Sequence, residues 1–519
     1  MKLKGSWVWS SALCLAVLTA PAQETNPLEK LHQQLERMQE RFEQQQREMR
    51  ESFEKQLREQ QAQIQALKQQ LEAAKSNAPP AAAPQPAAAP AGQPTVPPGT
   101  PVPGAPPPTP APKPWSPTDP VRLFGGQRNY LNLSFDALVA GGTSTANDLD
   151  RLELGGHDPR QRGFTVQNLE TVFEGAVDPY FRGQANVVLQ IDPHGDATIE
   201  AEEAYLETMS LPANLQLKAG QFVSEFGRLN PTHPHAWDFV DQPLVNGRFL
   251  GEDGLRSAGA RLSWLVPTPF YSELFLAVQN SQGGTAYSFR NDHAGMPFMG
   301  RLSADRRVET LGDMLWVPRY AASFNLSDAQ TIVAGASAAF GPNSTSGDTD
   351  TQIYGVDLFW KWKSPRQHAG FPFIGWQTEA MARRFNAGAF HWDLNGNGIA
   401  DPGEMTSLAT GLPAALPRET LTDYGLYSQV VYGFRKGWVA GLRGDYVFPE
   451  KKALYEGLLG ADPDRALRWR LSPNLTYYPS EFSKIRLQYN FDHRQGIGDD
   501  HSVWVQLEFL LGTHAAHKF

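Results

Sequence analysis

The sequence predicts an all-β membrane protein, a transmembrane antiparallel β-barrel of about 16 strands preceded by an α-helical coiled coil. Three observations predict it. The C-terminal run alternates, with Val503, Val505, Leu507, Phe509 and Leu511 on one face and Gln506 and Glu508 on the other, and the chain stops on the aromatic Phe519. Sixteen strand candidates of this kind follow residue 121. The connections between them alternate short and long without a break, which sets a rim of tight turns against a rim of long loops. Such strands suit a bilayer because only a closed barrel pairs every backbone polar group there, with apolar side chains toward lipid and polar ones toward a lumen. A soluble sandwich has no reason to keep two unlike rims.

Residues 1–22 read as a secretory signal peptide: Lys2 and Lys4, an apolar segment from Ala12 to Ala20, then Ala20-Pro21-Ala22 as a small-residue cleavage site. The single cysteine, Cys14, leaves with it, so disulfides, thiol ligands and a cysteine nucleophile are excluded from the mature chain. No later apolar run reaches the roughly 18 residues of a membrane-spanning helix. Residues 27–76 form the predicted coiled coil, with Leu28, Leu31, Leu35, Met38 and Phe42 on one heptad seam and Leu57, Ile64, Leu67 and Leu71 on another. The four-residue steps Met49 to Phe53 to Leu57 are a stutter between them. At 1.5 Å per residue such a rod would reach roughly 70 Å, and its long apolar stripe favours a parallel oligomer. Residues 77–120, rich in Ala and Pro, are a stiff polyproline-like spacer.

Residues 121–519 hold the barrel. The candidate strands lie near 130–140, 164–177, 181–191, 198–209, 215–223, 257–265, 270–279, 312–325, 330–340, 351–363, 371–385, 421–434, 437–447, 467–478, 483–492 and 502–511. Alternation is plain in the first, where Leu131, Leu133, Phe135 and Val139 oppose Asn132, Ser134 and Asp136. Turn chemistry at Asp178-Pro179, Pro267-Thr268-Pro269, Ser327-Asp328 and Pro479-Ser480 marks the short connections. An even strand count returns the C-terminus to the short-turn, periplasmic side, and the N-terminal rod with it.

The net charge of -9 argues against a nucleic-acid partner. The connection 224–256 is among the longest and most polar, and a wide barrel needs something to narrow it. Arg228, His233, His235, Asp238, Asp241, Arg248, Glu252 and Asp253 are therefore the candidate pore constriction. By strand parity Arg443, Arg468, Arg470 and Arg486 form a basic lumen wall, and loop acids facing them would set up a transverse field. The competing reading makes both sets ordinary solvated lumen and rim charges. His233-Pro234-His235 with Asp238 is a weak transition-metal pattern, since no third ligand is assured. The stretch 393–404 fits a calcium loop: Asp393, Asn395 and Asn397 at positions 1, 3 and 5, Gly398 at 6, the Ile399 carbonyl at 7, Asp401 at 9 and Glu404 at 12. It lacks flanking helices and contains Pro402, so a structural Ca2+ competes with a plain Asx/Gly turn; no other cofactor is expected.

No G-x-S-x-G elbow, H-E-x-x-H helix or phosphate-binding glycine loop is present, and no enzymatic role is expected. Leu217-Lys-Ala-Gly-Gln-Phe222, followed by Glu225-Phe226-Gly227-Arg228, and the terminal Leu511-Gly-Thr-His-Ala-Ala-His-Lys-Phe519 resemble the phosphate-selective porin O and P family. That resemblance implies a homotrimeric sixteen-stranded channel in the outer membrane for passive diffusion of small hydrophilic or ionic solutes, anions such as phosphate among them. The family's basic ladder and lysine cluster have no match here. Partners expected on this reading are outer-membrane lipid, two further copies of the chain joined through barrel and coiled coil, and peptidoglycan at the end of the rod. Two alternatives stay open: a metal-ion uptake protein, and a barrel-anchored tether between outer membrane and peptidoglycan.

Overall fold

The computed structural model describes residues 121–126, 129–192, 195–281, 284–290, 295 and 297–512. The signal peptide, coiled coil and Pro-rich spacer lie outside the described residues, as does the terminal segment ending at Phe519. The described chain closes into a 16-stranded antiparallel barrel. Its strands are β1 Tyr130–Ser144, β2 Gly163–Ala176, β3 Phe181–Ile191, β4 Ala197–Thr208, β5 Leu215–Val223, β6 Arg256–Leu265, β7 Tyr271–Gln279 and β8 Leu315–Ser327. The second half is β9 Gln330–Pro342, β10 Asp350–His368, β11 Phe371–Ala387, β12 Glu419–Arg435, β13 Trp438–Pro449, β14 Arg468–Ser480, β15 Ser483–Arg494 and β16 Gly498–Leu511.

Each strand pairs with its chain neighbour, and β16 closes on β1 from Leu511↔Phe135 to Ser502↔Ser144. A short segment, Val121–Gly125, pairs with β1 at Tyr130 to Leu133, so it continues the line of β16 along the same edge.

The side-chain arrangement inverts that of a soluble protein. On β16, Val503, Val505, Leu507 and Phe509 point outward and are exposed, whereas Ser502, Trp504 and Gln506 are buried in the lumen. On β12 the outward face reads Tyr424, Leu426, Ser428, Val430, Tyr432, Phe434, with aromatics at both ends and Leu and Val between them. Neighbouring strands repeat this. Phe270–Phe324, Trp438–Tyr477 and Tyr432–Phe434 pair near the short turns, while Tyr424–Phe448, Phe340–Tyr354 and Trp469–Phe491 pair near the loop ends. Two aromatic girdles around an aliphatic band match the depth profile of a bilayer, and an outer wall this apolar is stable only where hydrocarbon replaces water.

All sixteen predicted strands are present, most of them one to four residues longer than expected at an end. The rim asymmetry is less regular than predicted. Connections 192–196, 343–349 and 495–497 lie on the long-loop rim yet are as short as turns. The remaining outer loops pack together instead. Phe298, Met299, Trp392, Leu416 and Tyr455 form an apolar cluster between loops 280–314, 388–418 and 450–467. Arg301, wholly buried beside it, donates to the carbonyls of Gly388, Met299 and Pro417.

Two β-bulges matter for the lumen. Across β1 and β2 the register steps at Leu138/Val139 and leaves Gln167 extra; across β3 and β4 it steps at Asn186/Val187 and leaves Glu202 extra. Each turns two successive polar residues inward, Gln167 with Asn168 and Glu202 with Glu203, all four buried.

Candidate functional site

The connection 224–255, between β5 and β6, enters the lumen and touches the wall on several sides. It is anchored first on β9 and β11. Gly227 N donates to Ser337 Oγ at 3.0 Å, and Leu229 N donates to Glu379 Oε1 at 2.7 Å. Gly227 has φ +62°, and a Cβ there would fall 2.1 Å from the Glu379 carboxylate, so glycine is what lets the backbone reach this acid. Arg228 lies over the Phe359 ring at 4.0 Å and donates from Nε to Gln377 Oε1 at 3.2 Å.

The loop then crosses to β14 and β15. Arg486 donates to the Trp237 carbonyl and Asn474 to that of Asp238, at 2.9 and 2.8 Å. Gln429 of β12 donates to the Asp238 carboxylate at 3.3 Å. Asp241 is the strongest fastening. It accepts from Arg443 Nη2 at 2.8 Å, from Gln488 and Asn490 at 2.7 Å each, and from Arg470, and it is 1% exposed. A short helix, α1 (Leu244–Leu250), follows and packs on β12 and β13, where Gly425 makes room: a Cβ there would lie 2.4 Å from Val245. Phe226, Leu244, Val245, Phe249, Tyr427 and Val447 pack here as an apolar core inside an otherwise polar lumen.

The predicted transverse field is replaced by direct contact. Arg443 and Arg470 touch Asp241, Arg470 also pairs with Glu153 of the first outer loop at 2.8 Å, Arg468 pairs with Asp492 at 2.7 Å, and Arg486 is bound by amide, hydroxyl and carbonyl oxygens. Buried guanidinium groups cost too much desolvation to stand bare across water from their counter-ions. The candidate constriction residues also separate. Arg228, His233, His235, Asp238 and Asp241 lie in the lumen. Arg248 runs outward to the carbonyls of Arg465 and Ala466, and Glu252 pairs with Arg160 in a half-exposed position. Asp253 sits 3.8 Å from His157 and 3.9 Å from Arg256. His233 and His235 do not meet Asp238; they face the wall acids Asp136, Glu170, Glu202 and Glu203, which the metal pattern read from sequence did not include.

Space remains on both sides of the loop. Toward the long-loop rim a cavity of about 290 Å³ is lined by acids and bases in equal number, among them Asp148, Arg151, Glu153, Arg248 and Arg468. Toward the short-turn rim a cavity of about 270 Å³ is lined by Arg228, Lys361 and Lys363 against one carboxylate, Asp328. Lys361 and Lys363 share the inward face of β10 with Asp357 and Phe359. Their parity was readable from the sequence, but nothing there tied them to Arg228.

The 393–404 loop is wound on its own oxygens. Asp393 accepts from Gly398 N at 3.0 Å, Asn397 Oδ1 from Ile399 N at 2.7 Å, and Glu404 from Leu394 N at 2.7 Å and Asp401 N at 3.2 Å. Asn395 and Asn397 both donate to Asp401 at 2.6 Å.

Fold and lumen together define a sixteen-stranded barrel of the outer-membrane type with a loop fastened across its interior. No family model matches the chain. An uncharacterised protein of Aquifex aeolicus (strain VF5) is 30% identical over 422 residues, 75% of this chain and 79% of that protein, and the chain belongs to its family. Among solved structures, the outer membrane channel DcaP of Acinetobacter baumannii is similar over 75% of this chain and 99% of that one, with TM-score 0.47 and 14% identity. The anion-selective porin from Comamonas acidovorans is similar over 74% and 100%, with TM-score 0.43 and 7% identity.

Proposed function

We propose that the protein is an outer-membrane porin, a passive diffusion channel for small hydrophilic or ionic solutes with a preference for small anions. The observation that carries this reading is the lumen itself: a loop fastened across a wide closed barrel, with a polar cavity on each side of it. The anion preference rests on the cavity toward the short-turn rim, which among the described residues is lined by Arg228, Lys361 and Lys363 together with Asp328. Fixed charges at such a narrowing raise the local concentration of counter-ions. Reconstituted in a planar bilayer, the protein is expected to give a stable conductance whose reversal potential in a salt gradient lies toward the chloride equilibrium value. A silent membrane, or a cation-side potential, would refute channel and preference respectively. The heptad seams of residues 27–76 support a homotrimer whose rod extends through the periplasm toward peptidoglycan. The same recordings should then close in three equal steps.

A structural Ca2+ in the 393–404 loop belongs to this proposal, supported by the spacing of its oxygen-bearing residues. Chelator should speed proteolytic cutting within 393–404 several-fold, and Ca2+, not Mg2+, should restore protection. An unchanged cutting rate would remove the ion from this account.

A further inference from the structure

We propose that the barrel wall and the inward loop together form a buried site for a divalent transition-metal ion of the zinc class, held by Glu170, Glu202 and His233. The argument starts from one nitrogen. His233 Nε2 lies 3.2 Å from Glu203 Oε2, and that carboxylate is itself fixed, its other oxygen accepting from Val223 N at 2.9 Å. A proton on Nε2 shared with Glu203 leaves a lone pair on Nδ1. That lone pair faces oxygen: Glu202 Oε2 at 3.1 Å and Glu170 Oε1 at 3.5 Å, with neither Nδ1 nor Glu202 Oε2 making a hydrogen bond. Glu202 is 6% exposed and Glu170 is 0% exposed, so the facing lone pairs lie away from bulk water.

These separations suit a shared cation. With ligand bonds of about 2.0–2.1 Å, the edge of a tetrahedron of donors is about 3.3–3.4 Å, close to the spacings observed. The three donor atoms all lie within 4.8 Å of one another. An imidazole ligand whose second nitrogen is bound by a carboxylate is the usual support of such a ligand, and imidazole with carboxylate favours a transition ion over calcium or magnesium. Glu202 is free to serve because its other oxygen, Oε1, is the one turned to His157 at 3.7 Å and Arg256 at 3.8 Å. The second oxygen of Glu170 faces His235 Nδ1 at 3.5 Å, with Asp136 a further 3.9 Å contact of that imidazole. An adjoining donor set thus shares the same carboxylate.

The fold supplies an independent sign that this corner is built. The bulge at Glu202 turns that residue inward beside Glu203, and without it successive residues on β4 would point to opposite faces. A small cavity of about 30 Å³ lined by Glu202, His233 and Asp253 adjoins the site and gives an ion access. The competing account is that two imidazolium groups, and no metal, neutralise the acids.

The test uses the full chain, untagged, folded in detergent, stripped with chelator and dialysed. Titration with Co2+ should give visible absorption bands of four- or five-coordinate cobalt with at least one ion per chain, displaced by Zn2+. Glu202→Gln and His233→Gln should each weaken binding at least tenfold, while Glu309→Gln, exposed on the 280–314 loop, should leave it unchanged. Heat-modifiable mobility on a gel verifies that each variant is folded. Absence of cobalt bands together with loss of Zn2+ on gel filtration, or equal binding by all variants, overturns the site in favour of the imidazolium account. Conductance does not enter the measurement, so its outcome is separate from that of the porin reading.

Discussion

Replacing Asp241 by alanine is expected to free the inward loop and raise single-channel conductance. The carboxylate serves Arg443, Arg470, Gln488 and Asn490 at once, in a position 1% exposed. Its removal leaves two guanidinium groups buried with a partner missing. Leaving a buried charge wholly unpaired costs about 3–5 kcal/mol; Arg443 keeps Asp445 and Arg470 keeps Glu153 and Asp492, so the cost is below that range, and it falls on the docked loop because the sixteen-strand ladder does not depend on Asp241. Opening of the loop should therefore become more frequent, read as larger and noisier current steps and as faster proteolysis within 224–255. The pH dependence has a definite sign. Burial pushes the Asp241 carboxyl up, but Arg443 and Arg470 outweigh it and hold the group down at about 2, against about 3.9 for a free aspartate. A depressed carboxyl contributes fully above its unfolded value and loses that contribution as pH falls through the folded one. Wild-type conductance should hold steady from about pH 8 to pH 5 and rise only on further acidification toward pH 2, while Asp241→Ala should show no such acid transition. Equal conductance of variant and wild type would mean that the α1 packing and the fastenings at Gly227, Leu229, Trp237 and Asp238 hold the loop without Asp241.

The strands were legible because their signal is local. Val503, Val505, Leu507 and Phe509 need no knowledge of any other strand to be assigned to lipid, and the same parity placed Arg443, Arg468, Arg470 and Arg486 in the lumen. What failed was the inference from a parity to a field. Two wall arginines find one acid, Asp241, 202 and 229 positions away in sequence, and no spacing rule reaches that far. The short outer connections 343–349 and 495–497 were misjudged for a related reason. Loop length is set by what the rim must cover, and here the cluster around Trp392 and Tyr455 covers it from other loops.

The histidine pair shows the same boundary more sharply. His233-Pro234-His235 was visible as a ligand pattern, but its acid was sought nearby, at Asp238. The acids that meet it come from β1, β2 and β4. Asp136 was already on the polar face of β1 by alternation. Glu202 was hidden, since a bulge shifts parity by one residue and leaves no mark in composition.

Exchanging Lys361 and Lys363 for glutamate is expected to reverse the charge preference of the pore. Both residues lie on the inward face of β10 and line the cavity on the short-turn side of the loop together with Arg228 and Asp328. Among the described lining residues the wild type carries three cations and one carboxylate, and the double variant one cation and three carboxylates. At 4 Å in a water-like medium each charge acts on an ion with about 1 kcal/mol, so the anion-to-cation permeability ratio should fall roughly tenfold or more at low salt, carrying the reversal potential across zero. Ions of the medium screen the effect beyond about 10 Å at 0.1 M and about 3 Å at 1 M. The difference between variant and wild type should therefore shrink in molar salt. Arg228 is held by Phe359 and Gln377 and is not expected to move. This keeps conductance near its wild-type level while selectivity changes, a separation that loosening the loop at Asp241 would not produce. A reversal potential unaltered by the double exchange would show that permeant ions do not pass this cavity, and would move the selective region to the outer one lined by Arg151, Arg248 and Arg468.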